Sequence, residues 1–249
     1  KTVKRIVFIS VLIALLAACT HDTDYNERLV QADSLMTSHP DSALHLLQDI
    51  PTDSLRTKAD RAYYALLLTQ ARDKNYVVQT DDSLIRTAVQ YYDSMKDNKM
   101  QAQAYYLWGS VCRDKNKQTE AIEKYIRATD FAQKAADKVL LGRIYANAGY
   151  IYYLQEFYAK ADSIYRQAEQ ISIQLKDTSL QISSLTMQGS MQLYQKDYQQ
   201  AEKKLLQAES LLKDVRQNAI KANVFSALST LYTRTGKSTK ALQYAKQNF

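Results

Sequence analysis

One interval constrains this chain more than any other feature: residues of the same size class return every 40 positions. Gly109 is followed by Gly149, Gly189 and then Ser229. Ala121 returns as Ala161, Ala201 and Ala241, and Ala128 as Ala168 and Ala208. Tyr105 returns as Tyr145, Leu185 and Phe225. A fixed period of this length marks a solenoid, in which each unit buries its apolar face only by stacking on its neighbours. The unit beginning at Tyr105 reads as a helical segment, a polar turn over 113–118, and a second helical segment to Ala128. Gly109 and Ala121 are small enough to let the two helix axes approach. Tyr105, Trp108, Ile122 and Tyr125 supply the bulk that fills the space beside them, the alternation that ridge-into-groove packing needs. Only 5 Gly and 2 Pro occur in 249 residues, with 46% hydrophobic residues. So little turn chemistry favours helices with short connections and excludes an all-β fold.

The spacing of Tyr145, Gly149, Tyr152, Ala161, Tyr165 and Ala168 resembles the tetratricopeptide repeat at every step, and Phe225, Tyr232 and Ala241 repeat part of it. The resemblance implies an all-α, right-handed α–α superhelix of antiparallel helix pairs. It also implies a concave face, lined by the first helix of each pair, that binds a protein or peptide. This chain departs from the family in its period, which is longer by about six residues; its helices are expected to be longer by one or two turns. Cys112 and Gln192 stand where an aromatic is usual, and Ala245 where a large residue is usual. The resemblance covers 99–246 and weakens upstream.

The first residues carry a different signal. Lys1, Lys4 and Arg5 precede an apolar run over 6–18 whose only polar residue is Ser10. That is a charged region followed by the apolar core of a secretory signal. A short membrane helix is the other reading, but the run is brief for one. It ends Leu16-Ala17-Ala18-Cys19, which resembles a bacterial lipoprotein cleavage box. The resemblance implies cleavage before Cys19, lipidation of Cys19, and a place in the bacterial cell envelope on the periplasmic side of a membrane or at the outer membrane. Stable anchoring takes more than one acyl chain. The first eighteen residues hold three of the 33 basic residues and none of the 26 acidic ones, leaving a surplus of four positive charges on the remainder. That is a mixed-sign surface, not a nucleic-acid stripe. Cys112 would then be the sole thiol outside the cleavage box, expected to be packed and without a disulfide partner.

The chain divides as follows. Residues 1–18 are the signal, and 19–25 a tether or the first turn of a helix. Residues 26–51 are an N-terminal degenerate helix pair, with Leu29, Ala32, Leu35 and Met36 on one stripe and Ala43, Leu44, Leu46 and Leu47 on the next. Residues 52–98 are a divergent repeat: a long helix over 53–73, an insertion in the turn over 74–80, and a helix through Met95 capped by Thr80, Asp81 or Asp82. Asp81-Asp82 can be read as a cation site, but a helix start attracts acids in any case. Residues 99–249 are the tetratricopeptide-like repeats, the last cut short, which reads as a fragment of a longer protein because solenoids finish on a polar capping helix.

Converging catalytic groups are not evident. His21, His39 and His45 all precede the repeats, no paired Cys or His spacing suggests zinc, and the Gly residues form no phosphate loop. No enzyme activity, cofactor, metal, nucleic acid or small-molecule substrate is expected. A binding surface is. Positions on the first helices that the packing pattern does not use include Tyr106, Arg113, Asn147, Tyr150, Tyr153, Tyr194 and Arg234, with Ser110, Ser190, Ser226 and Thr230. Of the 19 Tyr, Tyr106, Tyr150, Tyr153 and Tyr194 are surplus to packing; either they line an interface or they close long helices on their neighbours. The family's clamp for C-terminal carboxylates needs more Lys, Asn and Arg here than Asn147 and the arginines supply. The expected function is a lipid-anchored envelope scaffold for a protein or peptide. A sensory ectodomain of a membrane-bound regulator and an outer-membrane assembly lipoprotein are the alternatives.

Overall fold

The computed structural model describes residues 26–247, so the signal, Cys19 and the tether lie outside the described residues. Among the described residues the chain forms twelve α-helices and no strand. They run as six antiparallel pairs: α1 (Glu27–Leu35) and α2 (Pro40–Gln48), α3 (Lys58–Lys74) and α4 (Ser83–Met95), α5 (Asn98–Asp114) and α6 (Gln118–Lys134), α7 (Lys138–Leu154) and α8 (Tyr158–Leu175), α9 (Thr178–Tyr194) and α10 (Tyr198–Ser210), α11 (Asn218–Arg234) and α12 (Ser238–Lys246). Each helix packs on the next in sequence, and the first helices of neighbouring pairs also pack on one another: α3 on α5, α5 on α7, α7 on α9, α9 on α11. The first helices therefore form the inner layer of the solenoid. No described helix is long and apolar enough to cross a membrane.

The period is written into the backbone. First helices end at Tyr76, Asn116, Glu156, Lys196 and Gly236, all with positive φ and all 40 residues apart. The N–H after each of these residues reaches back to a carbonyl five residues earlier, as in Lys117 to Cys112 and Phe157 to Tyr152, both 2.9 Å. That bond closes the Schellman form of helix end. Four of the five residues are not Gly, and each accepts a left-handed conformation that costs about 1 kcal/mol. Asp97, Asp137 and Asp177 start α5, α7 and α9, again 40 apart, each accepting a hydrogen bond from a backbone N–H of the first helical turn.

The stretch before α4 differs from the sequence reading. Tyr76 to Asn116 and Lys96 to Ala136 are both 40-residue steps between left-handed residues, so no residues are inserted over 74–80. The first turn of the second helix is unwound instead, leaving α4 with 13 residues where α6 has 17. Asp82 precedes α4 but makes no capping bond. Its carboxylate is drawn away by Trp108 Nε1 and Lys115 Nζ, both at 3.1 Å, and by Arg86 at 2.9 Å. Asp81 accepts from the backbone and hydroxyl of Ser83. The acid pair is thus committed to protein donors. Upstream, the helix expected from residue 53 begins only at Lys58, because Thr57 and Asp60 form a reciprocal capping box that stops it. Asp60 also accepts from the N–H of Asn26, tying the first pair to α3.

The contact inside each pair follows one rule. A Cβ added to Gly109 would lie 2.5 Å from the Tyr125 ring; one added to Gly149, 2.8 Å from Tyr165; one added to Gly189, 2.7 Å from Leu205. In sequence the same offset of sixteen residues runs from Thr69 to Ile85 upstream and from Ser229 to Ala245 downstream. Thr69 is buried and donates to the Ala65 carbonyl, and Ser229 donates to the Ala241 carbonyl. Where the small residue grows, the large one shrinks. Trp108, expected among the fillers, is only half-buried, with the Lys124 ammonium 4.3 Å above its ring. Cys112 is buried and free, and burial pushes its thiol up. The apolar core is one cluster through Ile151 and then two smaller ones; Ser172, Ser184 and Gln188, all fully buried, lie where the core divides.

Two outcomes test this packing. Helix propensity alone would reward Gly→Ala by about 1 kcal/mol, yet Gly109→Ala is expected to lower stability by about 1–3 kcal/mol through overpacking against Tyr125, read as a lower urea midpoint. At Asp82, burial raises the carboxyl pKa, but the hydrogen bonds from Lys115, Trp108 and Arg86 outweigh it and hold the group well below the usual carboxylate range. Its contribution is complete above the unfolded value of about 4 and drains away as pH falls toward the folded value. Asp82→Asn should therefore destabilise at neutral pH, and its gap from the parent chain should narrow as unfolding is followed from about pH 5 down to about pH 2.

Candidate functional site

The inner layer has two unlike halves. In the first, Tyr106 on α5 is buried against the Tyr125 ring, centroids 5.9 Å apart. Tyr106, expected to stand free of packing, is thus a packed side chain. Its hydroxyl accepts from Asn147 Nδ2 on α7 at 3.3 Å. Asn147 Oδ1 accepts from Arg113 Nη1 at 2.8 Å. Arg113 Nη2 donates to Asp73 on α3 at 3.0 Å and to Asp114 at 2.9 Å. All three guanidinium nitrogens of Arg113 are engaged, since Nε also reaches Asp114 at 3.2 Å. Tyr106, Arg113 and Asn147 form one polar tie across three successive pairs, with the Arg113 donors turned inward to protein acceptors. Ser110 is also inside, 3.4 Å from the Tyr125 hydroxyl.

The second half is open. Between α7, α9 and α11 lies a groove of about 540 Å³. Tyr150, Tyr153 and Tyr194 line it together with Ser190, Ser226 and Thr230. Tyr150 stacks on Tyr153 at 6.4 Å and 25°, and Tyr153 meets Tyr194 edge-on at 5.9 Å. Beside it the Arg234 guanidinium lies 5.0 Å from the Tyr194 ring centre, within cation–π range, and Nη1 donates to the Leu193 carbonyl at 3.4 Å. Tyr150 and Tyr194 are each 44% exposed, whereas Tyr153 is half-buried and packs on the small cluster around Ala161 and Tyr165. Burial, and then the hydrogen bond with Tyr194, pushes the Tyr153 phenol well above its ordinary range.

Of the seven predicted side chains, then, Tyr150, Tyr153 and Tyr194 line the groove, Arg234 lies against Tyr194 beside it, and the other three are joined in the tie. The sequence reading missed Tyr158, the first residue of α8, which stacks on Tyr194 at 5.6 Å and 10°. Its position after the turn is shared by Tyr198, a recurrence of 40 residues that pointed to it. Ser183, Met187 and Asn223 also line the groove; each lies within two helical turns N-terminal of Ser190 or Ser226. Among the described residues no group of three or more His, Cys, Asp or Glu is placed to hold a metal ion.

No protein-family model and no curated protein matches this sequence. Solved structures do. BtubC (BKLC) from P. vanneervenii aligns with a TM-score of 0.66 at 17% identity, covering 91% of this chain and 90% of that one. A kinesin-light-chain structure from Podosopora anserina with nearly identical TPR-like repeats aligns at 0.56 and 15% identity, covering 77% and 96%. A Rap protein complexed with Competence and Sporulation Factor aligns at 0.55 and 15% identity, covering 89% and 74%. At these identities the likeness is one of fold: this chain is an all-α, tetratricopeptide-like solenoid.

The two halves should respond differently to substitution. Arg113→Met removes the centre of the tie and is expected to cost about 1–3 kcal/mol by leaving Asp73 and Asn147 without their donor. Tyr150→Ala combined with Tyr194→Ala removes exposed rings and should cost less than about 1 kcal/mol. Melting curves of the two variants check this order.

Proposed function

We propose that this chain is a non-catalytic scaffold that holds a protein or peptide partner in the tyrosine-walled groove on its inner face. The observation that carries this reading is the pair of aromatic faces at Tyr150 and Tyr194, left 44% exposed on the layer that the solenoid curves around. Aromatic side chains with a polar tip are the residues that interfaces favour. A solenoid's stacked inner helices offer an extended surface suited to a polypeptide. A Rap protein of like fold, solved with Competence and Sporulation Factor, lends support by analogy of architecture. We further propose that Cys19 carries a lipid that tethers the scaffold in a bacterial envelope; the run Leu16-Ala17-Ala18-Cys19 supports this.

The test uses the whole chain in its membrane. A photo-crosslinking residue at Met187, inside the groove, should trap a partner that the same residue at Arg127, exposed on α6, does not. The crosslink should fall to background in Tyr150→Ala/Tyr194→Ala. Equal trapping from both positions would place the partner elsewhere. Cys19→Ala should move the protein to the soluble fraction; retention in the membrane pellet would remove the lipid tether from the reading.

A further inference from the structure

We infer that a slot on the outer layer, between α6, α7 and α8, binds a straight-chain carboxylate of about ten carbons. The slot exists because one seam of the solenoid lacks what its neighbours have. From α4 onward, successive second helices are tied across the first helix between them by charged groups. Asp93 on α4 accepts from the Tyr105 hydroxyl on α5 at 2.8 Å, and Arg127 on α6 donates to that hydroxyl at 3.2 Å. Glu169 on α8 accepts from Gln188 on α9 at 2.7 Å and from Lys204 on α10 at 3.2 Å. Glu202 and Glu209 on α10 accept from Tyr232 on α11 and Tyr244 on α12, at 2.8 and 3.1 Å. Among the described residues, the seam from α6 to α8 has no such tie. Forty positions before Glu169, Gln188 and Lys204 stand Thr129, Ala148 and Ile164, and forty before Asp162 stands Ile122. Each change removes a charge or an amide, and Ala148 removes bulk as well. At this seam a cavity of about 310 Å³ lies open.

Size, shape and charge select the ligand. Ile122, Ile126 and Ile164 line the slot with the rings of Tyr145 and Tyr152, and Ile126 is left 63% exposed. On α6 the lining runs from Ile122 to Gln133, about 16 Å of helix at 1.5 Å per residue. An apolar cavity of about 150 Å³ holds one benzene, so about 310 Å³ takes roughly ten to twelve carbons. The elongated lining suits a chain better than fused rings. Lys160 is the one charged side chain in that lining, and it makes no ion pair among the described residues. It sits in the first turn of α8, Tyr152 in the last turn of α7 and Ile122 near the start of α6, all toward the same end of the slot. The Tyr152 hydroxyl also makes no hydrogen bond among the described residues. An ammonium and a phenol donor at one end of an apolar slot match a carboxylate head, which keeps its water and gains a counter-charge while its tail leaves water. A cationic head on the same tail would meet Lys160 as a like charge.

The test is photolabelling of the whole chain in its membrane with a decanoic acid that carries a diazirine in its tail. Label should appear on the slot residues of α6, α7 and α8 and be displaced by plain decanoate. Butyrate, which lacks the tail, should compete at least about tenfold more weakly. Decyltrimethylammonium, which lacks the anion, should compete at least about fivefold more weakly. Lys160→Met, a change at an exposed position, should raise the probe concentration for half-maximal label about three- to fivefold. Thr129→Glu/Ala148→Gln/Ile164→Lys transplants the tie of the next seam and should bring label to background with the far-UV circular dichroism unchanged; if that variant does not fold, Lys160→Met decides. Label spread along the chain, equal protection by decyltrimethylammonium, or no response to Lys160→Met overturns the inference. So does a phosphatidylglycerol with a diazirine tail that labels the slot where the free acid does not, since membrane lipid would then be the occupant.

Discussion

The structure depends on a contact repeated along the chain: a residue with little or no side chain on a first helix lying against a larger one sixteen positions later. Gly109 under Tyr125 and Gly149 under Tyr165 leave no space for even a methyl group. Such a contact sets the distance between two axes and hence the angle at which the next pair stacks. At the corresponding positions of the outer pairs the residues differ: Thr69 and Ile85 upstream, Ser229 and Ala245 downstream. Both hydroxyls then find a carbonyl of their own pair, so the added bulk arrives with its polar atom satisfied.

On that frame the inner layer is divided by how its polar groups are used. From α3 to α7 they face one another, and the Asp73–Arg113–Asn147–Tyr106 tie holds three pairs in fixed relation. From α7 to α11 they face outward around the tyrosines. The fully buried Ser184 and Gln188 on α9 sit behind the open half, and Gln188 reaches Glu169, which also takes the Lys204 ammonium. Apolar burial is thinnest there, and the core clusters separate at that level. The half that displays the groove is therefore backed by polar contacts, the half that does not by a continuous apolar core.

Most of the architecture was legible in the sequence because the size pattern is itself the packing. Gly, Ala and the aromatics at 40-residue spacing mark the helix pairs from Asn98 to Arg234. What escaped was whatever depends on a single polar choice. Asp82 looks like a cap, and only the placement of Trp108 and Lys115 shows it turned elsewhere. Residues 74–80 look like an insertion because a helix turn has been replaced by non-helical chain of the same number of residues. Within the site, the three tyrosines of the groove, and Arg234 beside them, were found because they fall outside the packing grid. Tyr106 and Arg113 also fall outside it, but Asn147 and Asp73, which hold them in the tie, come from neighbouring pairs, and a single-unit pattern cannot show that.

The left-handed residues at Tyr76, Asn116, Glu156, Lys196 and Gly236 carry a consequence for how such a chain can change in length. Adding or removing a single residue inside a helix turns everything beyond it by about 100°, which would swing each downstream seam off its mate. Only edits that preserve the distance from one reversal to the next leave the ladder intact. An array built this way grows or shrinks by whole rungs, and its reach along a bound polypeptide comes in steps, one helix pair at a time.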